Sequence, residues 1–317
     1  MNSLQPVGRR FFLYNTVCEI VLWDYCEDPG EVLDECEEAA IEVQRLLNAY
    51  DESSELGRMN RMHRPTVPYS ISPSLFRVLE QIHSFSEISH GAFDPTVRPL
   101  INLWNFTSSH PVVPEQDSIE KALSHCGYRN ILLDERNLTV TFLADGMMLD
   151  AGGMGKGYAV KKVKEKLQER RIKSASINFG GEMGFLGEWH HGGGVTEWNV
   201  QIQAPNKERG ISLGKLKLSD CAIATSGDYD RFFIDKGRRY CHILDPRTGY
   251  PVSNGLRSVT IVCDDPVKAE LISTAVFVLG AKDGGELARD NEAEFVMIDD
   301  PGLWISEGLK ECFQAVT

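Results

Sequence analysis

Hydrophobic positions along this chain fall into short alternating or continuous apolar runs, separated by stretches with a repeat of three to four residues. Residues 10–23, RFFLYNTVCEIVLW, read as a first strand. The segment PGEVLDECEEAAIEVQRLLNAY then places Leu33, Cys36, Ala40, Val43, Leu47 and Tyr50 at helical spacing. Ser72-Pro73 is an N-cap followed by proline at the first helical position, and opens a helix with Leu75, Leu79, Ile82 and Phe85 on one face. A shorter helix is expected over 117–126. ILLD, NLTVTF and MMLD read as short strands of a meander leading to the glycine-rich stretch LDAGGMGKGYAV (149–160), after which YAVKKVKEKLQERR is a basic helix.

The second half continues in the same style. SASINFG, MGFLGEW and WNVQIQAP are strand-like, with HHGGG as a flexible insert between the last two. KLKLSDCAIATSG, RRYCHILD and RSVTIVCD extend the β pattern, KAELISTAVFVLGA is a helix, and EFVMID with GLWISEGL forms a closing hairpin. Strands alternating with helices, with meanders among them, predict an α+β layout instead of a doubly wound sheet. No repeat or low-complexity linker divides the 317 residues.

Composition changes this picture little, charge more. The formal net charge of -13 argues against a nucleic-acid partner, and a site for phosphates would need local correction by a lysine or a divalent cation. No run approaches the length of a transmembrane helix. The eight cysteines (18, 26, 36, 126, 221, 241, 263, 312) lack CxxC spacing, which suits reduced thiols and a cytoplasmic setting, with a removed leader as the alternative.

A glycine-rich turn at a helix start lets main-chain N–H groups approach an anion. GGMGKG fits neither the GxxxxGK[ST] loop nor the GxGxxG fingerprint. Asp150 before it and Lys156 within it suit a polar ligand better than a packing joint. HGAFDPTVRPLINLWNF (90–106), INFGGEMG (177–184), ATSGDYDRFF (224–233) and YCHILDPRTGYPV (240–252) add further polar, Gly/Pro-rich loops. Glu270 and Thr274 stand four residues apart on one predicted helix face, able to share a ligand, and hard oxygen donors suit Mg²⁺. On the residues alone the plainer reading is favoured: Glu270 a solvated helix charge and Thr274 a packed β-branched side chain.

From about Phe11 to Leu309 the chain resembles the ApbE family, the FAD:protein FMN transferases. The resemblance rests on NAYDESSELGRMN (48–60), AFDPTV (92–97), LDAGGMGKGYAV, INFGGE, ATSGDYDRFF, YCHILDPRTGYPV and ELISTAVFVLG (270–280), in the same order. It implies an α+β fold of two related α/β parts with antiparallel-rich sheets and an FAD cleft between them. One catalytic domain would span 1–317, with two intertwined subdomains as the open alternative. The implied activity moves FMN from FAD onto a Ser or Thr of an acceptor protein, with Mg²⁺ or Mn²⁺ bound and AMP leaving. By resemblance, Ala92, Phe93, Asp94, Asp150 and Leu244 bind FAD, Tyr14 and Tyr50 line the flavin pocket, and Lys156 neutralises the pyrophosphate. The implied metal ligands are a Gly153 carbonyl, Glu270 and Thr274, with Ser273 as an auxiliary. Glu270 departs from the family's usual Asp, and Glu182 is a second Asp-to-Glu departure. His242 is the candidate base, its alternative being a hydrogen bond to a turn. Tyr50 could also simply cap the core from its helix. A metal-dependent FAD pyrophosphatase and a non-catalytic FAD-binding protein are the competing functions.

Overall fold

The computed structural model describes residues 5–24, 26–191, 194–205, 207–300 and 302–316. Its centre is an eight-stranded sheet whose spatial order follows chain order: Val7–Leu13, Thr16–Leu22, Ala175–Phe179, Glu182–Leu186, Ala222–Gly227, Leu256–Cys263, Glu294–Asp299 and Leu303–Ile305. Every neighbouring pair is antiparallel. The helices are α1 (Pro29–Leu47), α2 (Glu55–Met62), α3 (Pro73–Ile88), α4 (Arg98–Trp104), α5 (Gln116–Leu123), α6 (Gly155–Glu169), α7 (Pro266–Leu279) and α8 (Ala281–Asp290). Helices α1 to α6 fall between the second and third strands of the sheet, together with a small sheet of Tyr69–Ser70, Thr139–Phe142 and Ile131–Asp134. The α+β expectation holds.

The pleat explains why the central strands read as continuous apolar runs. Ala222, Ala224, Val259, Ile261, Phe295 and Met297 join the main core with the helices. The alternate residues Ile223, Val262, Val296 and Ile298 face a second core completed by Trp198, Val200, Ile202 and Leu216 of another small sheet. A sheet covered on both faces needs apolar side chains at successive positions. Helix α7 is buried nearly all round, from Val267 to Val278, and therefore carries Glu270 into the interior with it.

Three local expectations need correction. Residues 10–23 form a hairpin, not one strand: Tyr14 and Asn15 both take left-handed φ (53° and 55°), and Leu13 pairs with Thr16. A two-residue turn of this kind suits Asn but not Tyr, so the apolar run hid it. Residues 147–150, MMLD, lie outside any strand, because their backbone is used locally: Leu149 exchanges both hydrogen bonds with the Asn60 amide, each 2.8 Å. Tyr50 lies beyond the end of α1 and is 69% exposed, so it does not cap the core. In the HHGGG segment, Trp189–His191 pairs with Gly194–Thr196, while residues 192–193 lie outside the described residues.

Other readings stand. Ser72 caps α3 by accepting from the Leu75 N–H (3.1 Å), with Leu75, Leu79, Ile82 and Phe85 buried. A satellite cluster of Leu100, Trp104, Ile119 and Leu244 ties α4 and α5 to the hairpin Phe232–Asp235/Arg238–Cys241 and the turn after it, with Trp104 Nε1 donating to the Gly249 carbonyl (2.8 Å). Helices α6 and α7 cross closely at Gly157, where a Cβ would lie 2.4 Å from the Pro266 carbonyl oxygen. A methyl group there has no room without moving backbone. Gly157→Ala is expected to lower stability by roughly 1–3 kcal/mol, the usual cost of overpacking. A urea titration reads this as a lower midpoint at unchanged slope; an unchanged midpoint contradicts the close crossing.

Candidate active site

The polar loops gather in one place through a chain of contacts. Lys156 of the glycine-rich stretch reaches Glu182 beside the Gly180-Gly181 turn (2.5 Å). Gly153 abuts Phe93: a Cβ on it would lie 2.8 Å from the Phe93 ring and 3.4 Å from Thr274 Oγ1 on α7. Trp104 joins 90–106 to 240–252, and His242 N–H donates to the Arg231 carbonyl (3.0 Å), adding 224–233. Five loops distant in sequence thus share one end of the sheet.

Lys156 is the hinge of this arrangement. Its Nζ lies 2.5 Å from Glu182 Oε1 and 3.1 Å from Glu270 Oε1. The other oxygen of Glu270 accepts from the Gly157 N–H in the first turn of α6 (2.7 Å). The carboxylates are 7% and 3% exposed and the lysine side chain 28%, so part of the lysine side chain reaches solvent while both carboxylates are buried. Burial alone would lower the lysine pKa, but the two carboxylates outweigh it and hold Lys156 charged, above its ordinary value. Burial, with Glu270 adding repulsion, raises the Glu182 carboxyl, and Lys156 opposes the rise. Glu182 Oε2 is buried with no hydrogen-bond partner. Glu270 is therefore no solvated helix charge. Thr274 Oγ1 donates to the Glu270 carbonyl (3.2 Å), and the buried Ser273 Oγ does the same (2.9 Å) while meeting Ser226 Oγ at 3.0 Å.

His242 stands near this corner, its Nδ1 3.2 Å from the Arg231 carbonyl. Desolvation, then the charge of Arg231, pushes the imidazole below its ordinary pKa; Lys156 acts in the same sense and Asp230 against it. The ring is thus held neutral, as a proton acceptor must be.

A second constellation flanks the glycine loop. Asp150 accepts from Arg98 Nη1 (2.8 Å) and from the Gly152 N–H (2.6 Å), and its own N–H donates to the Pro95 carbonyl (2.7 Å). The Arg98 guanidinium carbon lies 3.4 Å from the centroid of the exposed Tyr50 ring. The turn holding Tyr50 is fixed by its N–H on Asn48 Oδ1 (3.0 Å) and by Ser54, which caps α2 and donates to the Asn48 carbonyl (2.6 Å). Tyr50 thus presents one open ring face, backed by a buried cation.

The remaining candidates are placed differently. Ala92 and Phe93 are buried beside the loop. Asp94 turns its carboxylate onto its own turn, accepting from Thr96 N–H (2.8 Å), Thr96 Oγ1 (2.6 Å) and Tyr128 N–H (2.9 Å). Leu244 is buried in the satellite cluster and bridges to Pro251. Tyr14 donates its hydroxyl to the Ala40 carbonyl (2.5 Å), with its ring against Phe179. The local sequence does not mark Arg98: nothing in TVRPL distinguishes a buried arginine from a surface one. A carboxylate heading a strand, as at Glu182, likewise gives no sign of the lysine it meets.

Among the described residues no three His, Cys, Asp or Glu side chains converge as a closed metal cluster. The donors present are hard oxygens: Glu270, Thr274 Oγ1 and the backbone at Gly153. They fit an ion that keeps waters and phosphate oxygens, as Mg²⁺ does. No helix among the described residues is long and apolar enough to cross a membrane.

Comparison with known proteins gives a consistent family. The sequence profile of the ApbE family matches residues 14–297. The FAD:protein FMN transferase of Treponema pallidum is 32% identical over 90% of this chain and 82% of its own, and that of Vibrio cholerae 30% identical over 85% and 78%. Among solved structures, the ApbE protein of Thermotoga maritima superposes with a TM-score of 0.87 at 31% identity, covering 97% of this chain and 99% of its own. The flavin transferase ApbE of Vibrio cholerae superposes with a TM-score of 0.86 at 27% identity, covering 97% of this chain and 99% of its own. With the profile matched over most of its length and the fold shared end to end, the chain belongs to the ApbE family.

Proposed function

We propose that this chain is a FAD:protein FMN transferase that uses FAD as substrate, binds Mg²⁺ or Mn²⁺, modifies a Ser or Thr of an acceptor protein, and releases AMP. The observation that carries the reading is the chain of contacts from Lys156 to the Glu270 carboxylate, and along one turn of α7 to Thr274, against which Gly153 packs, in a chain that covers about four-fifths of the length of relatives bearing that name.

Glu270, Thr274 and the Gly153 carbonyl would hold the metal, which when bound supplies charge neutralisation at the pyrophosphate. Lys156 adds a cation beside the carboxylates, where a leaving phosphate gathers charge. The Tyr50 face, resting on Arg98, is offered to an aromatic ring of FAD. Asp150, Ala92, Phe93, Asp94, Leu244 and Tyr14 form or brace the remaining walls, Asp94 and Leu244 by holding their turns. In the reaction the acceptor hydroxyl oxygen bonds to the phosphorus of the FMN half. The bond from that phosphorus to the bridging oxygen breaks, and AMP carries that oxygen away. His242 takes the hydroxyl proton. Water in place of the hydroxyl would give FMN and AMP in solution.

The direct test is the intact mass of a Ser/Thr-bearing acceptor domain after incubation with this protein, FAD and Mg²⁺, with AMP and free FMN assayed in the same tube. The expected result is a mass gain of one FMN matched by AMP. Free FMN with unmodified acceptor overturns transfer in favour of hydrolysis, and intact FAD leaves a binding protein. His242→Ala should slow transfer by roughly 10²–10⁴-fold, the usual share of a general base, while FAD binding without metal is retained. Undiminished transfer removes His242 from the mechanism. The pH dependence has a definite sign. Because the folded pKa is depressed, the neutral imidazole persists below the ordinary value near 6.5 and is lost only as pH falls through the folded value. The acid limb of kcat/KM, which reports the free enzyme, should therefore have its midpoint below about 6.5; a midpoint above it contradicts the assignment.

A further inference from the structure

Glu182 is outside the set of metal ligands considered above, yet it makes the shorter of the two lysine contacts. Its backbone is fixed in the sheet, where Glu182 pairs with Phe179 across the Gly180-Gly181 turn. Its Oε1 takes the Lys156 ammonium at 2.5 Å, and its Oε2 is buried and unpartnered. Glu270 is situated differently. Its Oε2 is committed to the Gly157 N–H, so the oxygen free to face a cation is Oε1, and Lys156 Nζ already lies 3.1 Å from it. An ammonium and a divalent cation on one oxygen repel each other, so each weakens the other's hold on it. A metal is held more tightly at Glu270 Oε1 when the ammonium draws off, and within a buried site the ammonium then needs another anionic partner.

We propose that Glu182 is a positioning residue that receives the Lys156 ammonium and so leaves Glu270 to the metal. The proposal rests on the metal reading given under Proposed function. Its orphaned oxygen gives Glu182 the capacity to take the ammonium more fully, and its place in the sheet keeps it still while the longer lysine chain swings. Without a carboxylate at that distance, the ammonium keeps Glu270 as its hydrogen-bonding carboxylate among the described residues and competes with the metal for it. The effect of Glu182 on metal affinity must then run through Lys156.

The test reads Mn²⁺ binding to the full chain without substrate, by water-proton relaxation, for wild type, Glu182→Asp, Lys156→Met and the double variant. Glu182→Asp keeps the charge and withdraws it by one methylene. It is expected to weaken Mn²⁺ roughly fivefold in the presence of Lys156 and less than about twofold in the Lys156→Met background, a coupling typical of residues in direct contact. Lys156→Met alone should tighten Mn²⁺ binding. A loss of the same size in both backgrounds, as a merely structural role would give, overturns the proposal, and so does no loss at all in the wild-type background. Should Glu182→Asp fail to fold, the isosteric Glu182→Gln is carried through the same cycle, with a larger loss expected when Lys156 is present. If the wild type takes up no Mn²⁺, the metal reading itself fails and the proposal falls with it. That outcome is separate from one in which Mn²⁺ binds but the variants show no coupling.

Discussion

The arrangement depends on one ammonium held between two buried carboxylates. Lys156 joins the first turn of α6, the strand headed by Glu182 and the buried helix α7, three elements separated widely in sequence. With both carboxylates ionised, the two of them and one lysine leave the group one negative charge in excess, and one oxygen of Glu182 has no partner. Charges removed from water are costly unless paired and hydrogen-bonded. Such a site is incomplete in a particular way: what it lacks is positive charge with a preference for oxygen.

The fold makes this possible by sending α7 through the core. A helix apolar on every side is held by packing alone, so a glutamate in its middle travels inside with it. The close crossing at Gly157 then lets the Gly157 N–H in the first turn of α6 donate to that glutamate. On the other side of the glycine loop, Asp150, Arg98 and Tyr50 repeat the principle with opposite bookkeeping of charge: a buried guanidinium is neutralised by one carboxylate and presents an aromatic face outward.

Much of this was legible in the sequence, for identifiable reasons. The Ser72-Pro73 cap and the Leu75, Leu79, Ile82, Phe85 stripe are local signals, and local physics decides them. The polar loops could be recognised as site material because turn formers and charges in quantity suit little else. The hairpin at Tyr14-Asn15 was hidden because an aromatic occupies a turn position and the runs on either side are both apolar. Tyr50 kept helical spacing past the real end of α1, since periodicity does not mark where backbone bonding stops. The partnerships of Arg98 with Asp150 and of Glu182 with Lys156 span 52 and 26 residues. No pattern along the chain encodes contacts of that kind; they follow from the sheet order and from the burial of α7.

The measurement that tests the central claim most directly is a crystal structure of the chain soaked with Mn²⁺, with the anomalous signal used to locate the ion. The account predicts a peak within bonding distance of the Glu270 carboxylate and Thr274 Oγ1, with Lys156 Nζ drawn off Glu270 and held by Glu182. An ion bound elsewhere, or Lys156 still on Glu270 with the metal in place, would contradict it.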